Sequence, residues 1–415
     1  MKITPANPMW MSGYGGRDRP ADGIINDLFA KAVVLEDPAG KRAVFISTDL
    51  ITVPIKTVRF LESELRAKYG LRRDQLMVTC SHTHSGPALD DMLSYMLAME
   101  EGDWKIVRAY SADLNRKLVD LVGRAVNDLQ PANIATGNGK TAFAVNRRPP
   151  IGEGPVDHDV PVLRAMSADG KQLRGVVFGY ACHNTVLSGY QWCGDYAGFA
   201  TADVEDQFPG CVALFYTGCG ADQNPLPRRK VELAQKYGRM LAQAVGEVVK
   251  SEMKPLAGSL GTNFRDIDLT YDALPSKAEI EKKLETGSRY EKNRARNLLA
   301  QIKTDGQLPK AHAYPVQVWQ LGENVTWVAL GGEIVVDYSL RLKKELGRDD
   351  TWVTGYANHV MAYIPSERVL KEGGYEGGSS MLYYQLPSKW KPGLEDQIVK
   401  TVHALSKALA EDSKK

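Results

Sequence analysis

Two imidazoles two residues apart, His82 and His84, close the apolar run Gln75-Leu76-Met77-Val78-Thr79-Cys80 and lead into Ser85-Gly86-Pro87. Neutral imidazole is a common zinc ligand and a general acid or base near neutral pH. In an extended backbone the side chains at i and i+2 project to one face. The spacing therefore predicts both rings in one cavity at the carboxyl end of a strand. The competing reading is a His-Thr-His on an exposed loop.

Three other predicted strands end in the same way. Residues 176–182 run into His183, 212–216 into Thr217-Gly218-Cys219-Gly220-Ala221-Asp222-Gln223-Asn224-Pro225, and 325–330 into Gly331-Gly332-Glu333. Ligands of open α/β sheets bind at the carboxyl ends of strands, where loops carry polar groups into a crevice. A catalytic zinc takes three or four N/O ligands and keeps a position for water or substrate. His82, His183 and Glu333 supply such a set. Their competing roles are a core histidine bonded to backbone for His183 and helix capping for Glu333, which precedes a helical pattern.

The turn 218–224 could aim backbone N–H groups, Gly218 and Gly220 included, and the Asp222 carboxylate at a developing oxyanion or a leaving group. It could equally be a tight turn ended by Asn-Pro. Asn146-Arg147-Arg148-Pro149 offers guanidinium groups able to clamp a carbonyl or carboxylate. His158 between Asp157 and Asp159 looks like a metal cluster, but a Gly/Pro-rich loop favours a surface position. His312, His359 and His403 have no chemical context in the sequence. Cys80, Cys182, Cys193, Cys211 and Cys219 are odd in number and form no CxxC, which argues against a disulfide scaffold or zinc knuckle. A disulfide from Cys193 to Cys182 or Cys219 stays open.

The elements that must position these groups read as α/β. Strands are expected over 31–36, 42–47, 76–80, 160–165, 173–181, 212–216, 260–269, 313–321, 325–330 and 352–355. Helices are expected over 56–69, 106–129, 201–208, 231–250, 277–303, 334–346 and 394–410. No linker or repeat interrupts the chain, so residues 1–415 are expected to form one domain: a single large mixed β-sheet flanked by helices, with the site at strand carboxyl ends. The polar stretch 273–309 reads as a solvated surface helix. The 415 residues are 43% hydrophobic, enough for a large core, and the net charge of +2 is scattered. Nothing there recommends a nucleic-acid groove or a polybasic membrane patch. No apolar run reaches the roughly eighteen residues of a spanning helix, and Met1-Lys2-Ile3-Thr4-Pro5 has no signal-peptide core. The chain reads as soluble, cytoplasmic unless a leader was removed on export.

The same residues give the chain a resemblance to the catalytic domain of neutral (non-lysosomal) ceramidases, almost end to end. The most specific motif is His82 followed by Thr83-His84-Ser85-Gly86-Pro87. Met11-Ser12-Gly13-Tyr14 with 23–36, 44–50 with Asp49, Asn146-Arg147-Arg148-Pro149, His183 with 195–200, Gly331-Gly332-Glu333, Tyr363 within 355–363, and 375–380 are similar to further family elements. The resemblance implies zinc held by His82, His183, Glu333 and Tyr363, with His84 and Arg147 near a scissile amide. It also implies substrate contacts from Tyr375 and Asn146, and an N-acyl, lipid-like substrate. A second divalent ion is an open possibility.

Two departures stand out. The family serine lies in Gly-Asp-x-Ser-Pro-Asn, whereas here Gln223 stands at that position within 220–225. Glutamine cannot be a nucleophile, so the expected chemistry is attack by metal-activated water, with His84 or Asp222 handling protons. The immunoglobulin-like domain that follows in the family is not expected in this chain. The alternatives are a metal-stabilised binding protein or catalytically altered homologue, and a zinc hydrolase of a small sugar or peptide derivative. Tyr190-Gln191-Trp192 and 373–380 would suit sugar stacking.

Overall fold

The computed structural model of the chain describes residues 1–412 other than position 92. Its strands alternate side chains between two cores, as period-2 geometry requires. Val325–Leu330 sends Val325, Trp327 and Ala329 into one cluster and Val328 and Leu330 into another. Arg42–Thr48, Leu173–Tyr180 and Val212–Thr217 divide likewise, with Phe45, Val177, Leu214 and Tyr216 joining Trp327. Strands buried on both faces read as near-continuous apolar runs, which is why they were visible in the sequence.

That shared cluster lies between layers of sheet. One is four-stranded, in the order Leu260–Thr270, Ala311–Leu321, Val325–Leu330, Thr351–Thr354. Facing it are a three-stranded sheet, Ala30–Glu36, Arg42–Thr48, Leu76–Cys80, and a five-stranded one, Val212–Thr217, Leu173–Tyr180, Asp159–Ser167, Ala132–Lys140, Lys254–Pro255. Helices cover the outsides. Asp195–Gln207 and Val231–Lys250 close the core beyond the five-stranded sheet, Glu101–Asn127 packs on the three-stranded sheet, and Leu394–Asp412 on the four-stranded one.

The mixed α/β class is as expected, but the single large sheet is not. The three- and five-stranded sheets meet without a ladder: the Ser47 hydroxyl donates to the Phe215 carbonyl and the Thr217 hydroxyl to the Cys80 carbonyl. The expected helix 277–303 is two helices, Lys277–Thr286 and Arg289–Asp305. Ser276 with Glu279 and Ser288 with Glu291 form two capping boxes, so the chain starts a helix twice. Ala132–Lys140 was not anticipated, because Gly137 and Gly139 dilute its strand pattern. A Cβ at either would stand 2.8 Å from Val248, so glycine there lets the long helix lie against the strand. All five cysteines are buried and unpaired, which removes the Cys193 disulfide.

Candidate metal centre

His82 and His183 leave parallel neighbours: Leu76–Cys80 pairs with Arg42–Thr48, and Leu173–Tyr180 with Val212–Thr217. The exits are stitched together. The Thr217 hydroxyl donates to the Ser81 carbonyl at 2.9 Å, the Asn184 amide to the same carbonyl, and the His84 N–H to the Asn184 carbonyl at 3.1 Å. His82 has φ of 59°, so the chain has left extended geometry by this point. The two rings of the His-Thr-His therefore meet through a left-handed turn rather than through strand alternation, with His84 Nε2 3.2 Å from His82 Nε2. Gly13, at φ of 103°, makes room for that turn: a Cβ there would lie 2.8 Å from His84.

His82 and His183 are each anchored through Nδ1, the first 2.6 Å from the Ile51 carbonyl and the second 2.7 Å from the Gly220 carbonyl. A carbonyl can only accept, so each Nδ1 carries the proton and each Nε2 presents a lone pair. Both Nε2 atoms face one oxygen, Glu333 Oε2, at 3.2 and 3.0 Å. The Tyr363 hydroxyl lies 3.3 Å from His183 Nε2. Its backbone pairs in parallel with Glu333, which puts the two side chains side by side. The Tyr384 hydroxyl donates to the other Glu333 oxygen, Oε1.

Lone pairs converging on a carboxylate oxygen repel one another unless a cation, a proton or a metal, lies between them. Ligand atoms of a tetrahedral ion with bonds of about 2.1 Å lie roughly 3.4 Å apart, close to the separations here. The residues thus fit a divalent ion, and one ring nitrogen from each of His82, His84 and His183 lies within 4.8 Å of the other two. No second such group occurs among the described residues.

Electrostatics point the same way. Burial would raise the Glu333 carboxyl, but positive charge between it and the His82 and His183 Nε2 atoms, from a proton or an ion, would hold it well below the usual range. Burial, with Arg147 nearby, pushes His183 down to about 4. Burial and repulsion from His82 and His183 push His84 well down, and its Nδ1 has no partner. Burial and the Glu333 charge raise Tyr363, while Arg147 Nη2 donates to its hydroxyl at 3.1 Å. Glu376 receives Arg147 Nε at 2.8 Å and Arg148 Nη1 at 2.7 Å. Above the cluster is a cavity of about 280 Å³ whose wall includes His82, His84, Glu333, Tyr363 and Tyr375.

Several expected site residues are engaged elsewhere. Both Asp222 oxygens are taken: Oδ1 accepts the Val336 N–H at 2.9 Å and Oδ2 the Asn146 amide at 3.1 Å. Asp222 therefore caps the helix Val336–Leu346, the role considered for Glu333. Asn146 also donates to the Pro155 carbonyl, so its amide is engaged within the loops around Asp222. The Gln223 amide donates to the Ala181 and Cys219 carbonyls and accepts from the Asp157 N–H. It is buried scaffold, not a reacting group. The Gly218 and Gly220 N–H groups are bonded to Tyr180 and Gly218, so they are not free oxyanion donors. Their glycines serve close approach, since a Cβ at Gly220 would lie 2.7 Å from the Cys182 nitrogen.

Asp157 and Asp159 are buried rather than on the surface, held 2.7 and 3.0 Å from Lys343. His158 bonds the Ala144 carbonyl. In Tyr190-Gln191-Trp192, Trp192 is buried and Tyr190 packs under Arg19, away from the cavity. Sequence reasoning missed Tyr384, Glu376 and the anchoring carbonyls of Ile51 and Gly220. Only Glu376 lay in a quoted motif, and backbone carbonyls leave no mark on a sequence.

Fold and site together define a layered α/β protein with a buried histidine, carboxylate and tyrosine centre suited to a divalent ion. Residues 3–214 match the model of the neutral/alkaline non-lysosomal ceramidase N-terminal domain, and the chain belongs to that family. Neutral ceramidase of Pseudomonas aeruginosa is 25% identical over 299 residues, 65% of this chain and 43% of that protein. Neutral ceramidase of Oryza sativa subsp. japonica is 30% identical over 149 residues, 35% of this chain and 18% of the relative. The chain thus spans less than half the length of either. Among solved structures, a ceramidase complexed with C2 superposes with a TM-score of 0.77 at 19% identity, covering 99% of this chain and 74% of that one. The Pseudomonas aeruginosa neutral ceramidase gives 0.75 at 20%, covering 98% and 74%. No helix among the described residues is long and apolar enough to cross a membrane.

Proposed function

We propose that the protein is a zinc-dependent hydrolase that cleaves an N-acyl amide bond with activated water, in keeping with its family. The observation that carries this reading is the pair of Nδ1-anchored imidazoles aiming Nε2 at one Glu333 oxygen beneath an accessible cavity. His82, His183, Glu333 and Tyr363 would hold the ion, which when bound supplies Lewis acidity and lowers the pKa of water. Arg147, kept charged by Tyr363 and Glu376 despite burial, holds the Tyr363 oxygen and orients the substrate carbonyl together with Tyr375, whose ring lies 5.7 Å from the guanidinium. His84 is neutral and turns Nε2 toward the cluster, 3.2 Å from His82 Nε2, so this nitrogen can take a proton from water and return it to the leaving amine.

A purely structural ion would need no cavity on its open side. The wall of His82, His84, Glu333 and Tyr363 facing about 280 Å³ favours catalysis over a binding role. Metal analysis paired with a hydrolysis screen of N-acyl sphingoid, N-acyl amino acid and N-acyl amino sugar substrates tests the reading. Zinc near one per chain with amine release is expected. Stoichiometric metal with no turnover across the panel would leave a metal-stabilised binding protein.

A further inference from the structure

A second cavity, about 150 Å³, lies behind the first, and the two share Leu93 and Tyr384 as common wall residues. Tyr384 is fixed there by its hydrogen bond to Glu333, and Leu93 is buried in the short helix Leu93–Met96. Beyond them the second cavity is lined by Ile55, Val360, Met361 and Leu386, with His312, His359 and Asp91 also on its wall. Burial lowers His312 to about 4 and, with repulsion from His312, His359 to about 3, so both rings are uncharged at neutral pH. Burial raises the Asp91 carboxyl to about 7.

The cluster itself fixes which half of an amide would face this wall. The leaving amine must collect a proton, which places it toward His84, beside Gly13 and Tyr14. With the amine toward His84, the wall that Tyr384 and Leu93 form beyond Glu333 Oε1 is left for the acyl half. The first cavity, about 280 Å³, ends on this side at Leu93 and Tyr384, so an acyl chain running in this direction meets those two side chains.

We propose that Leu93 and Tyr384 form a partition that limits this site to short acyl groups, and that the cavity behind it is the acyl extension the partition closes off. The proposal rests on the amide-hydrolase reading above. It makes Leu93 a specificity-determining residue, since the length of chain accepted is set by a side chain that bonds neither the ion's ligands nor the reacting atoms.

The test uses the full chain loaded with zinc and two measurements. One is kcat/KM on a series of N-acyl amides sharing one amine, from acetyl to dodecanoyl. The other is calorimetric binding of the corresponding free carboxylates, which needs no turnover. In the wild type both should fall about tenfold or more from hexanoyl to dodecanoyl. Leu93→Ala should raise the dodecanoyl-to-hexanoyl ratio at least about tenfold in both, and adding Ile55→Trp, which fills the second cavity from its far side, should reverse the gain. An unchanged ratio in folded Leu93→Ala, or a wild type that takes dodecanoyl as well as hexanoyl, would overturn the partition. Carboxylate binding that follows the expected pattern without amide turnover would uphold it and overturn the hydrolase reading instead.

Discussion

Two clusters of enclosed histidine lie in this molecule, and they differ in what surrounds them. His82, His84 and His183 face a carboxylate and two tyrosine hydroxyls, and two of the rings are pinned through Nδ1 to backbone carbonyls. His312 and His359 lie with ring centres 5.3 Å apart, tilted to one another, and among the described residues no carboxylate is hydrogen-bonded to either ring; the Tyr271 hydroxyl is 3.4 Å from His312. Burial lowers the pKa in both clusters, so a depressed imidazole alone does not mark a site. What separates them is lone pairs held rigidly toward a shared anion, an arrangement that is unfavourable until a cation occupies it.

Removing a pinned ring should break the comparison most severely. His183→Ala is expected to abolish stoichiometric zinc and lower hydrolysis by roughly a thousandfold or more, while His359→Ala keeps full metal content. Elemental analysis of the two purified variants, with circular dichroism to confirm folding, checks this. Unchanged zinc in folded His183→Ala would sink the proposed ligand set. Next in size is Tyr384→Phe, which deletes the hydrogen bond to Glu333 Oε1 and should weaken zinc about 10- to 100-fold in competition with a chelator.

The second cluster should instead show itself in acid stability. Its rings titrate near 4 and 3 when folded but near 6.5 when unfolded, so between those values the unfolded chain binds more protons. Each folded pKa is depressed, so the stability is fully present above about 6.5 and is lost as pH falls toward 4 and 3. The double variant His312→Phe, His359→Leu should therefore recover several kcal/mol, about 5, at pH 4 relative to wild type, with little change at pH 8. Denaturant melts of the metal-free proteins at the two pH values measure it, and equal losses in both proteins would refute it.

The contrast between the clusters also shows what was legible in the sequence. Strand exits were readable because strands buried on both faces are apolar runs, and the residue after such a run must emerge at the sheet's edge. His82, His183 and Glu333 were found that way, whereas Tyr363 came through family resemblance, since a tyrosine in a short bridge has no spacing signal. The sandwich of separate sheets was not readable, because a missing ladder between adjacent strands depends on tertiary placement. Nor were the roles of Asp222, Asn146 and Gln223. Polar residues crowd the loop at a strand exit whether they serve substrate or hold the loop itself, and composition does not separate the two. The Asp157 and Asp159 carboxylates show the same ambiguity reversed, being a buried ion cluster on Lys343 in a loop that read as surface.

Asp222 supplies the finest test, because Glu333 is free to face the histidines only if another group caps the helix Val336–Leu346. Burial raises the Asp222 carboxyl to about 6, so its charged form is disfavoured in the folded state and stability declines as pH rises from about 4 to 6. Asparagine keeps an acceptor for the Val336 N–H without that charge. Asp222→Asn should therefore be at least as stable as wild type at pH 7 and keep hydrolysis within a few-fold, whereas Asp222→Ala should lose about 1 kcal/mol or somewhat more relative to the asparagine variant with its cap. A catalytic base would behave differently, because asparagine cannot accept a proton from water and activity would fall at least about a hundredfold in Asp222→Asn with the fold intact. Chemical denaturation and steady-state rates on the two variants thus decide whether the carboxylate after the Gly-rich turn holds a helix or moves a proton.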